Sequence, residues 1–162
     1  MKILDIEIAL YRYFKFRQAL LVPNLKWGLN FNHELDLSVI TKSGYLYEIE
    51  IKTSMADLKK DSEKRHQHRD WRNRIKRFYF AIPESLPVDK VLQLIPEDAG
   101  LIVVNADRAK KLVRKPKERK GAIPLTNQEI MHLSYLFGLR VWTLKEKLYE
   151  LASSQKCLII EG

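Results

Sequence analysis

Asp36, Glu50 and Lys52 are the residues of this 162-residue chain whose types and spacing could do chemistry together. Glu48, Glu50 and Lys52 fall at every second position of LYEIEIK (46–52). On a β-strand, residues two apart point to the same side, so two acids and a base share one face. Asp36 sits in ELDLSVIT (34–41), where Leu35, Leu37 and Val39 alternate with polar residues, a second strand pattern. Only KSG (42–44) separates the two, and Gly44 suits the positive φ of a short turn. The spacing therefore predicts an antiparallel hairpin that brings Asp36 beside Glu50 and Lys52. Two carboxylates that close repel, and one pKa rises unless something positive intervenes. A hard divalent cation resolves the conflict, because Mg²⁺ takes one or two carboxylates with water and substrate phosphate. Such an ion activates water and stabilises charge on phosphate oxygens, and a neighbouring lysine can orient the attack or neutralise that charge. The plain alternative is a solvated strand face carrying a cross-strand ion pair.

The elements around the hairpin follow from periodicity. Ile3, Ile6, Leu10 and Tyr13 recur at helical spacing and predict an amphipathic helix over 3–17. Pro23 and Asn24 read as a break, and WGLNFN (27–32) as extended. Ser54 followed by Asp57 predicts a helix N-cap, with a helix from Met55 to about His68. RFYFAIP (77–83) and GLIVVN (100–105) read as buried strands, with a short helix over 87–94 between them. Residues 106–120 offer little core material and read as a loop or arm. The boxes TNQE (126–129) and TLKE (143–146) predict two C-terminal helices. Leu133, Leu136, Phe137, Leu144, Leu148 and Leu151 supply an apolar stripe that suits either the sheet or a homodimer. The fold class is α/β, a mixed sheet flanked by helices with a C-terminal helical extension. One domain is expected, with a core over 1–107 and the arm and C-terminal helices over 108–162.

Net charge is +9 with a pI near 9.6, which favours a polyanionic partner, DNA before an anionic membrane. The surplus is concentrated. Residues 59–77 hold nine Lys or Arg against three acids, and residues 108–120 hold eight against one. Lys59, Lys60, Lys64, Lys110, Lys111, Arg114, Lys115 and Lys117 are the candidate phosphate contacts. No apolar run is long enough to cross a bilayer, and the N-terminus lacks a secretory pattern. The single cysteine, Cys157, excludes an intrachain disulfide and a cysteine-based metal site. A cytoplasmic location is the expectation. No phosphate-cradling glycine loop and no nucleophile-elbow motif is present.

An Asp followed on the next strand by Glu-x-Lys, with a helix before the hairpin, resembles the PD-(D/E)xK phosphodiesterase superfamily, which has the restriction-endonuclease-like fold. EIEIKTSMADLKKD, RFYFAIPESLP and IPEDAGLIVVNAD are similar to the MmcB-like branch of DNA-repair endonucleases, over roughly residues 27–107. Leu35 stands where the superfamily's name has proline. The resemblance implies a nuclease hydrolysing phosphodiester bonds in DNA, an endonuclease ahead of an exonuclease, with Mg²⁺ as cofactor and Mn²⁺ as its substitute. Asp36 and Glu50 would ligate the metal with the Ile51 carbonyl, Glu7 on the first helix is the candidate for a further ligand, and Lys52 would be the catalytic base or charge stabiliser. The competing function class is a non-catalytic nucleic-acid-binding module on the same fold. Glu48 and Glu34 read as surface acids. His66 and His68, two apart, do not share a helix face and are rejected as a metal pair.

Overall fold

The structure, a computed structural model, describes residues 1–15, 20–26, 34–63 and 73–160. The 27–32 segment, Lys64, His66 and His68 lie outside them. The chain forms two compact units, Met1–Thr126 and Asn127–Gly162.

The first unit is a six-stranded sheet in sequence order. Its strands are β1 (Leu20–Leu25), β2 (Leu35–Ile40), β3 (Leu46–Ile51), β4 (Ile75–Pro83), β5 (Gly100–Val104) and β6 (Lys110–Arg114). Three helices accompany them: α1 (Ile3–Phe14), α2 (Met55–Glu63) and α3 (Val88–Leu94). β1, β2 and β3 pair antiparallel, β3, β4 and β5 parallel, and β6 returns antiparallel to β5. The mixed α/β architecture is the one the periodicity implies.

The alternation of β4 and β5 sends their two faces to two different cores. Leu37, Val39, Ile49, Ile51, Tyr79 and Ala81 pack with Ile6, Ala9, Leu10 and Phe14 of α1. The i, i+3, i+4 and i+8 spacing of those four α1 residues makes one apolar stripe. On the opposite face, Phe80, Ile82 and Leu101 pack with Leu58 of α2 and Val91 of α3. α1 covers the Ile49/Ile51 face of β3, and on its other face Glu48 and Glu50 are also buried, at 4% and 7% exposure, although they read as polar-face residues. Asp57 N–H donates to the Ser54 hydroxyl at 3.2 Å, the N-cap that starts α2 just after the Glu-x-Lys strand.

Three elements differ from the sequence expectation. Pro23 does not break the chain but lies within β1, an edge strand, which is where a sheet tolerates proline. Asn24 beside it takes a positive φ of 49°. Residues 106–120 are not simply an arm, because Lys110–Arg114 form β6. Leu112 and the buried Ile102 are register partners, so the inward-facing one of two apolar residues in a basic run anchors the strand. The two C-terminal helices are one, α4 (Asn127–Ile160), which forms the second unit. Thr143 does not cap a new helix: its hydroxyl donates to the Leu139 carbonyl one turn back, at 3.1 Å. Among the described residues no helix is long and apolar enough to cross a membrane.

Candidate active site on the β2–β3 hairpin

The antiparallel register pairs Leu37 with Ile49 and Ser38 with Glu48. Continued one step, it sets Asp36 opposite Glu50. The hairpin is held at its closed end by Gly44, whose φ is 78° and whose carbonyl accepts the Leu125 N–H at 2.8 Å. A Cβ at Gly44 would stand 2.9 Å from the Leu125 carbonyl oxygen, so the turn needs glycine twice over. At the open end Asp36 accepts the Ile51 N–H at 2.8 Å. Lys52, one residue beyond β3, donates its N–H to the Ala81 carbonyl at 3.0 Å, so the strand's end is fixed against β4 as well. Its ammonium lies 2.8 Å from Glu50 Oε2. The structure therefore brings Asp36, Glu50 and Lys52 to one end of two adjacent strands.

The electrostatics follow from that placement. Burial first, then the charges of Asp36 and Glu48, push the Glu50 carboxyl up to about 8, against the pull of the Lys52 ammonium. Glu7 on α1 is half-buried, and its carboxyl is also raised, by burial and then by the Asp36 charge. α1 thus delivers a third acid to the neighbourhood of Asp36. Glu48 is 4% exposed, which corrects its reading as a surface acid. Its register partner Ser38 is fully buried, and among the described residues the Ser38 hydroxyl has no hydrogen-bond partner. Residues 36 and 38 share a face with 48 and 50, so the pattern in both strands already carried this polar layer. The burial of that layer is what the strand pattern does not reveal.

The donor set suits a hard cation in kind: two carboxylates opposed in register and the Ile51 carbonyl between Glu50 and Lys52, where one or two carboxylates suffice for Mg²⁺. Among the described residues no three His, Cys, Asp or Glu side chains form a metal cage. In this arrangement Lys52 supplies the positive charge against Glu50.

The candidate phosphate contacts separate into two groups. Lys59, Lys60, Lys110, Lys111, Lys115 and Lys117 are exposed. Arg114 departs from that expectation. Its guanidinium is turned inward, donating to the Ala99 and Pro96 carbonyls at 2.8 and 2.6 Å. Other basic residues of the same stretches are also spent on structure, with Lys76 and Arg77 on Glu118 and Arg119 on Asp98. Lysines on the β6 edge also have a plain role, since they discourage edge-to-edge pairing with other chains.

The family described as "DNA repair protein MmcB-like" matches residues 9–145. The chain belongs to the MmcB-like family. The match runs through the β2–β3 hairpin, β6 and the first half of α4. A protein of unknown function from Silicibacter pomeroyi has a similar solved structure, with a TM-score of 0.65, 19% identity, and coverage of 86% of this chain and 88% of that one. That likeness shows the fold that this MmcB-like chain shares. No curated protein matches the chain.

Proposed function

We propose that this chain is a metal-dependent nuclease of the PD-(D/E)xK type that hydrolyses phosphodiester bonds in DNA during repair. The observation that carries the reading is the convergence of Asp36, Glu50 and Lys52 at one end of adjacent strands, in a chain of an MmcB-like family described by DNA repair. Asp36, Glu50 and the Ile51 carbonyl would hold Mg²⁺ or Mn²⁺, with Glu7 as a further acid. The ion would lower the pKa of water and offset charge gathering on the phosphate. The chain's own residues do the rest. Lys52 carries a positive charge to the site and is placed to stabilise phosphate oxygens. Asp36, bonded to the Ile51 amide, fixes the spacing between the two strands. The exposed lysines on α2 and β6 supply sequence-independent attraction to the DNA backbone.

A second reading is favoured by the same ion pair. Lys52 and Glu50 already satisfy each other at 2.8 Å, as they would in a non-catalytic DNA-binding module. The two readings separate in a calorimetric titration of Mg²⁺ and Mn²⁺ into wild type and Asp36→Ala, each bound to DNA. Metal binding that disappears in the variant supports the nuclease. A wild type that takes up no metal supports the binding module.

A further inference from the structure

We propose that the exposed half of α4 docks a helix of another protein, and that this partner flanks its apolar seam with acidic residues. Phe137, Val141, Leu144, Leu148 and Leu151 recur at intervals of four, three, four and three residues. That is the a/d spacing of a paired helix. Val141, Leu144, Leu148 and Leu151 are 38, 61, 65 and 64% exposed. Contiguous apolar surface of this kind on a soluble chain marks an interaction site. The helix is 34 residues long, about 51 Å, so it offers two full heptads beyond Phe137.

The residues beside the seam decide the occupant. The flanking charges are Arg140, Lys145 and Lys147, all basic, while the acids Glu146 and Glu150 fall on the outer positions. A parallel pair of two copies would set Arg140 of each against Lys145 of the other. An antiparallel pair would oppose the same cations again. Like charges at these positions select against self-pairing, and acidic residues there select for it in a partner. The apolar seam gives affinity and the basic rim gives choice of partner. None of these residues belongs to the β2–β3 site, so this docking surface stands or falls apart from the nuclease reading.

The test uses the full chain and two synthetic helical peptides with leucine along the seam, one flanked by glutamate and one by lysine. Fluorescence anisotropy of labelled peptide gives affinity, and sedimentation velocity gives stoichiometry. The expected result is a one-to-one complex with the acidic peptide, at least about tenfold tighter than with the basic one. Leu144→Gln with Leu148→Gln weakens it about tenfold or more, at unchanged helical circular dichroism. Lys145→Glu with Lys147→Glu reverses the preference between peptides. The inference is overturned if neither peptide binds, if both bind equally, or if the seam variants leave affinity unchanged. It is also overturned if the free chain is a stable dimer that the seam variants dissolve, or if the seam binds anionic vesicles in place of either peptide.

Discussion

Asp36 and Ile51 are joined by a 2.8 Å hydrogen bond from the Ile51 amide to the Asp36 carboxylate. The first acid of the motif is therefore tied to the residue between the second acid and the lysine. The bond gives Asp36 two roles, structural and electrostatic, and two substitutions separate them. Asp36→Asn keeps an oxygen for the Ile51 amide and removes the charge. Asp36→Ala removes both and leaves a buried amide unpaired, which costs roughly 1–3 kcal/mol. Urea denaturation is expected to find Asp36→Ala less stable than Asp36→Asn by about that amount, while both lose cleavage.

Glu50 gives the protein a pH dependence with a defined sign. Its folded pKa, about 8, lies above the ordinary value of 4.5. A raised acid contributes stability fully below about pH 4.5, and that contribution is lost as pH rises through about 8. Glu50→Gln removes the group that must ionise. In metal-free buffer the stability of Glu50→Gln relative to wild type should rise between pH 5 and pH 8.5, by an amount on the order of a few kcal/mol. Denaturation curves at the two pH values measure it. A relative stability that falls with pH would contradict the burial argument.

Lys52 lowers the pKa that the other neighbours raise. Lys52→Met, which keeps the length and loses the charge, is expected to push the Glu50 carboxyl higher still, an effect readable by NMR titration of the carboxyl carbon. DNA cleavage should fall by about 10²- to 10⁴-fold, the usual loss for a positioned proton-transfer or charge-stabilising group. Binding of uncleaved DNA should change little, because many exposed lysines contribute to it.

Ser38 offers a test of the buried polar layer itself. Its hydroxyl is buried opposite Glu48, without a hydrogen-bond partner among the described residues. An unsatisfied buried hydroxyl costs free energy that alanine does not. Ser38→Ala is expected to be neutral or more stable by up to about 1 kcal/mol. A loss of more than 1 kcal/mol in thermal melts would mean that the hydroxyl has a partner in solution.

Much of this architecture was legible because period and burial agree. The buried Ile6 and Leu10 of α1, the alternation of β2 and β3 and the Ser54 cap follow from spacing alone, whereas Ile3 of the same expected stripe is 55% exposed. Three features were not, each for a physical reason. Lys110–Arg114 became a strand because Ile102 offers Leu112 a buried partner, a tertiary fact that outweighs a basic local composition. Thr143 lies inside α4 because a hydroxyl can return to the carbonyl one turn back as readily as it can cap. Glu48 is buried at 4% exposure, and burial is a tertiary property that the alternation of a single strand does not report. At the site, the residue types and their shared face were visible in sequence. The Asp36–Ile51 bond and the ion pair between Glu50 and Lys52 are set by strand register, which the residue types do not encode.

The most direct test of the nuclease proposal is cleavage of plasmid, nicked, branched and single-stranded DNA in Mg²⁺ or Mn²⁺ by wild type and by Asp36→Asn, Glu50→Gln and Lys52→Met. The account predicts metal-dependent product from wild type, abolished by EDTA, and none from the three variants, with all four proteins still binding DNA. Cleavage that persists in Asp36→Asn and Glu50→Gln, or DNA binding by wild type without product on any substrate, would contradict it.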